Sequence, residues 1–237
     1  MKTNIILPKG RKSIPQELLQ FGVHLVYSEG TKTEPFYIEN IKKNIASKYN
    51  CPQNAVEIIV ATGKESYSTL GLVSYAKDDV KKRLQNKEKI DHVWIFFDKD
   101  DFNGFEDAHE EILRQNNSKN ENVEGFLFDE DTGITWHSCW SNECFELWLC
   151  LYFDYYHVPQ KRNEYKKHLE NQPKLKKINF KYKKSLECIH NILTENGGSI
   201  ENAIKFAKKL EKLNHQDNPS TGVYQFVEYF NPYMKKD

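Results

Sequence analysis

Two acidic segments carry the chemistry this sequence can do. In Tyr27-Ser28-Glu29-Gly30 a carboxylate follows directly on the short apolar run from Val23 to Ser28. An acid at the end of a buried strand is costly unless a cation or hydrogen bonds compensate it. Gly30 lets the backbone turn sharply and lets a ligand come close. The second segment is Asp98-Lys99-Asp100-Asp101, directly after the run His92 to Phe97. Carboxylates this close repel one another unless solvent or a cation intervenes. Mg²⁺ takes oxygen ligands, commonly a couple of carboxylates with waters completing the octahedron. Residues i and i+2 of an extended chain face one side, so Asp98 and Asp100 can share an ion. Either segment alone also fits a solvated acidic turn. Two such strand ends on one sheet edge favour a divalent-metal site of Glu29, Asp98 and Asp100, with Asp101 as a further donor.

A third segment, Ser141 to Leu149, sets Asn142 four residues before Glu146, so both can line one helix face. Ser141 or Asn142 reads as the cap of that helix. Glu146 lies among Phe145, Leu147, Trp148 and Leu149, and a buried acid needs a partner. The second half is rich in lysine, including Lys166, Lys167, Lys174, Lys176, Lys177, Lys181, Lys183 and Lys184, with Tyr and Phe interleaved. That suits phosphate contacts, although a solvated helix face is the plainer explanation. The eight histidines show no HxH or HxxxH spacing, so a zinc site is not expected. There is no glycine-rich phosphate loop, so the chain is not expected to hydrolyse ATP itself.

The elements that must hold these acids follow from periodicity. Val23–Ser28, Val56–Val60 and His92–Phe97 read as buried strands. Between and after them come helices from Thr33, as a capping residue, to about 48, from about Ser68 to Leu84, and from about Phe105 to Arg114. Alternating strand and helix predicts an α/β fold, a mostly parallel sheet flanked by helices. Ligands of such sheets sit at the carboxyl ends of the strands. Residues 115–124 read as a polar loop. Residues 126–138 read as one or two short strands around Asp131-Thr132-Gly133. A helix then runs to about Phe153, and further helices are expected near 160–170, 180–195, 199–213 and 220–230. The organisation predicted is a polar arm at 1–20, an α/β domain at 21–157, and a C-terminal helical region at 158–237 packed on it or completing it.

Composition sets the wider limits. The 237 residues are 38% hydrophobic and 13% aromatic, enough to fold around a core. Lys+Arg and Asp+Glu both number 34, so total charge does not draw the chain to nucleic acid. A zero total can still hide a basic face beside an acidic pocket. Five cysteines without CxxC spacing argue against a disulfide framework or zinc knuckle and for thiols in a reducing cytoplasm. The N-terminus lacks a signal-peptide core, and no apolar run reaches about 18 residues, so no membrane partner is expected.

Four segments together resemble the RloB-like family: Tyr27 to Tyr37, Phe97 to Phe102, Ser141 to Leu149, and Asn218-Pro219-Ser220-Thr221. They occur in the family's order and span nearly the whole chain. The family is in turn similar to Toprim proteins, in which a Glu follows the first strand and a DxD a later one. Glu29 matches the first position, and Asp98 and Asp100 the second. The resemblance implies a Toprim-like fold and a Mg²⁺-dependent nuclease, with Mn²⁺ as substitute, acting on RNA such as tRNA, or on DNA, in bacterial anti-phage defence. Catalytic roles then fall to Glu29, Asp98, Asp100, Lys32 and Glu146, with Thr33, Glu34, Asn142 and Lys99 in support. The alternative is a non-catalytic module that docks an AAA-type ATPase or another copy of the chain. A nucleotidyl- or phosphoryl-transferring enzyme is a third reading, because the same metal geometry serves it.

Overall fold

The computed structural model describes Leu18 and residues 21–62, 68–99, 104–117 and 133–234. Five strands form one sheet in the order β2-β1-β3-β4-β5. They are β1 His24–Ser28, β2 Ile58–Thr62, β3 His92–Asp98, β4 Thr135–Asn142 and β5 Ser220–Thr221. The first four run parallel and β5 pairs antiparallel with β4. The mostly parallel α/β sheet is therefore as expected. Helices α1 Thr33–Lys48, α2 Thr69–Gln85 and α3 Phe105–Asn117 alternate with the strands. After β4 come α4 Glu146–Cys150, α5 Arg162–Asn171, α6 Pro173–Lys177, α7 Ile189–Glu195, α8 Ile200–Asn214 and α9 Tyr224–Met234.

β1 and β3 are apolar without alternation because both faces of the sheet are covered. Val26, Trp94 and Phe96 face a core shared with Ile38 and Ile41 of α1. Leu193, Ala203, Leu210 and Phe226 of the C-terminal helices belong to that same core. Leu25, Tyr27, Val93, Ile95 and Phe97 face the other way, onto Leu72 and Val73 of α2 and Ala108 and Ile112 of α3. The chain thus leaves β1 toward one face of the sheet, through α1, and leaves β3 toward the other, through α3. β1 and β3 are neighbours in the sheet. The crevice beyond their carboxyl ends is where the connections part, the usual ligand position in open α/β sheets.

Several local expectations are corrected. The second strand starts at Ile58, because Gln53–Ala55 forms a 3-10 turn just before it. Thr33 does not cap α1 but is its first residue, and its hydroxyl lies 3.4 Å from the Tyr182 hydroxyl. Ser141 and Asn142 end β4 and cap no helix. β5 extends the pairing to these residues, and the Ser141 hydroxyl meets that of Thr221 at 2.9 Å. The Asn142 amide donates to the Gln216 carbonyl at 2.8 Å. The helix that follows is correspondingly short, ending at Cys150. Between 180 and 195 only Ile189–Glu195 is helical, and Ser220–Thr221 is strand before α9 begins. Within 126–138 the described strand is β4, from Thr135, while Asp131 and Thr132 lie outside the described residues, as does the polar arm apart from the buried Leu18.

Candidate active site

The turn after β1 is tied to β3. The Glu29 amide donates to the Phe96 carbonyl at 3.0 Å, and the Ser28 hydroxyl to the Gly30 carbonyl at 2.8 Å. Ser28 is in register with Phe96, so Glu29 and Asp98 follow that last pair by one and two residues. The Asp98 amide donates to Glu29 Oε2 at 3.4 Å. Asp98 Oδ1 accepts from the Phe145 amide at 3.0 Å, and Oδ2 meets the Arg162 guanidinium at 3.2 Å. Two acids 69 positions apart thereby share one cleft of about 320 Å³. Its walls include Lys32, Thr33, Glu34, Glu146, Arg162 and Lys184.

Two more carboxylates deepen the acidity. Glu34, in the first turn of α1, is buried against Gly30. Glu146 opens α4, is buried, and accepts from the Tyr182 hydroxyl at 2.8 Å. Burial first, then the nearby Glu146 and Glu29, push the Glu34 carboxyl up to about 7, against the pull of Lys184. Burial, then Glu34, Glu146 and Glu29, also raise Asp98 well above the usual carboxylate range despite Arg162. Each acid is thus disfavoured as an anion by the others, a strain that a cation between them would relieve. Burial, then Glu146 and Asp98, raise the Cys144 thiol, which disfavours the thiolate that a nucleophilic cysteine needs.

Gly30 makes this packing possible. A Cβ there would fall 2.6 Å from the Glu34 Cδ, although the backbone conformation itself is ordinary. Gly30→Ala should therefore lower the melting temperature by several degrees, an overpacking cost of about 1–3 kcal/mol. Glu34→Ala in the same chain should recover most of the loss, since it removes the clashing group. Thermal melts of the two single variants and the pair decide this.

The structure brings together Glu29, Lys32, Thr33, Glu34, Asp98 and Glu146 of the residues expected at the site. Asn142 is held away by Gln216. Lys99 is not among the residues lining the cleft; its ammonium lies 2.9 Å from Glu106 and over the Phe105 ring. Asp100 and Asp101 lie outside the described residues. Arg162 and Tyr182 were not anticipated, and Lys184, expected only as one of the lysines suited to phosphate contacts, lines the cleft itself. Arg162 is one of four arginines in a chain with 34 basic residues, which marks it out. Phe180 and Tyr182 are buried between exposed lysines, an alternation that signals a packed segment.

Among the described residues no three His, Cys, Asp or Glu side chains stand in metal-binding positions. The donors present nevertheless fit Mg²⁺ or Mn²⁺. Glu29 and Asp98 both bring carboxylate oxygens to the one cleft, and Mg²⁺ is commonly held by one or two carboxylates plus waters and substrate phosphates. No helix among the described residues is long and apolar enough to cross a membrane.

The family model described as RloB-like protein matches residues 24–230. No curated protein and no solved structure matches the chain.

Proposed function

We propose, for a chain that belongs to the RloB-like family, that this cleft is the active site of a Toprim-type, Mg²⁺-dependent nuclease that cleaves phosphodiester bonds. Its nucleic-acid substrate would be RNA such as tRNA, or DNA, and its setting cytoplasmic anti-phage defence, as the family resemblance implies. The observation that carries the reading is the meeting of Glu29 and Asp98 at the carboxyl ends of β1 and β3.

Glu29 and Asp98 would hold the ion, with Asp100 beside Asp98 in sequence as a further donor. An ion held there would supply Lewis-acid polarisation of a phosphoryl oxygen and positive charge against what develops in cleavage. The Phe145 amide fixes Asp98, and the Asp98 amide fixes Glu29, so both carboxylates are oriented by backbone donors. Glu34, pushed up to about 7, can take or give a proton near neutral pH, as a general base or acid must. Arg162 and Lys184 line the same cleft and can neutralise the negative phosphate. Tyr182 holds Glu146 through its hydroxyl.

The test is incubation of the purified protein with RNA and with DNA in Mg²⁺ or Mn²⁺. Cleavage should require the metal and should vanish in the Glu29→Gln/Asp98→Asn double variant. Cleavage that persists in the double variant would refute the mechanism. Inactivity with every metal, together with stable capture of an AAA-type ATPase, would make the chain a docking module.

A further inference from the structure

We infer that residues 161–184 form the surface that takes a nucleic-acid backbone and leads one of its phosphates to the acidic cleft. The destination of that phosphate rests on the nuclease reading, whereas the binding surface does not. This stretch holds ten basic residues against Glu164 and Glu170, a net charge of +8 in a chain whose total is zero. The remaining residues therefore sum to −8, and the balanced composition conceals a segregated charge.

The fold displays the basic groups. Tyr165, Leu169, Leu175, Phe180 and Tyr182 turn into the core. Lys166, Lys176, Lys177, Lys183 and Lys184 stay exposed, and among the described residues none of them enters a salt bridge. Unneutralised lysines at this density repel one another, which fits a surface completed by a polyanion.

Both ends of the stretch are fastened to the cleft. Near its start Arg162 meets Asp98 at 3.2 Å. Near its end the Tyr182 hydroxyl donates to Glu146 at 2.8 Å, and Lys184 lines the cleft. A cleft with Glu29, Glu34, Asp98 and Glu146 repels phosphate by itself. A nucleic acid can reach it only if attraction next to it outweighs that repulsion. The exposed lysines of α6 and of residues 181–184 supply such attraction over several phosphates.

The test is fluorescence anisotropy in EDTA with single-stranded RNA and DNA oligonucleotides of about 30 nucleotides, over roughly 50 to 200 mM salt. Lys176→Gln/Lys177→Gln/Lys183→Gln should raise the Kd about tenfold or more. It should also reduce the log–log salt slope by about two, since each single-strand phosphate contact contributes about 0.7. Lys82→Gln/Lys87→Gln/Lys89→Gln removes the same charge at the opposite end of the strands and should change Kd less than about twofold. Equal effects of the two triples, or no binding by the parent, would overturn the inference. Binding that depends on 161–184 without cleavage in any metal would sink the nuclease reading alone. Cleavage by a triple variant that binds like the parent would sink the surface alone.

Discussion

Asp98→Asn should lower phosphodiester cleavage about a thousandfold or more and yet leave the metal-free protein as stable as the parent, or more stable, at about pH 8. The activity loss corresponds to about 4 kcal/mol of transition-state stabilisation, the scale expected when a metal-bound carboxylate is removed. The stability sign follows from the surroundings. Asp98 is raised well above the usual range by burial and then by Glu34, Glu146 and Glu29, so its anion is disfavoured in the folded chain. The asparagine carbonyl can still accept from the Phe145 amide. Arg162 keeps partial solvent contact, and Glu29, Glu34 and Glu146 remain in the same cleft. Relief of about 1 kcal/mol would appear as a rise of a few degrees in melting temperature. A structural salt bridge predicts the opposite, a lower melting temperature with unaltered chemistry. Paired melts and cleavage rates separate the two roles.

The second expectation concerns pH. Glu34 titrates at about 7 in the folded chain, above the 4.5 of an exposed glutamate, and Asp98 shifts in the same direction. The folded state then binds more protons than the unfolded state across that interval. Stability from these groups is full below the unfolded value and is lost as pH rises through the folded one. Histidines act the other way. Burial lowers His24 and His190 to about 4 and His137 to about 3, so the unfolded chain binds more protons below 6.5. Their stability is present above 6.5 and is lost as pH falls toward the folded values. The metal-free protein should therefore melt highest near pH 6.5 and lower on either side. Each extra proton held by one state tilts the curve by about 1.4 kcal/mol per pH unit.

Divalent metal should rescue only the alkaline side. At a hundred times its Kd, Mg²⁺ or Mn²⁺ adds about 2.7 kcal/mol, or roughly 5–10 °C for a chain of this size. Glu34→Gln should steepen the acid limb between about 4.5 and 6.5, where the Glu34 proton opposes the histidines, and flatten the decline from 6.5 to about 7. An alkaline limb unaltered by both metal and Glu34→Gln would remove the electrostatic account of the cleft.

The parallel sheet was legible because doubly covered strands leave unbroken apolar runs, as in His92–Phe97, and because helical periodicity separates them. The convergence of Glu29 and Asp98 was legible for the same reason: each follows such a run directly. Local polar bonding was less so. Ser141 and Asn142 carry cap-forming side chains, yet a two-residue strand some 80 positions later claims them. No local pattern announces a partner that distant. Glu34 was read as support for the site, but its shift toward neutrality arises from its burial first and then from Glu146 and Glu29, once the fold packs them together. Tyr182 and Arg162 looked like members of a solvated basic stretch. Only the tertiary fold carries them to Glu146 and Asp98.

Calorimetric titration of the parent, Glu29→Gln and Asp98→Asn with Mn²⁺ addresses the shared ion most directly. Saturable binding should appear in the parent and be lost or greatly weakened in each single variant if both acids grip the same cation, as proposed. Mn²⁺ binding of parental strength in Glu29→Gln would contradict the account, since residue 29 would then play no part in holding the ion beside Asp98.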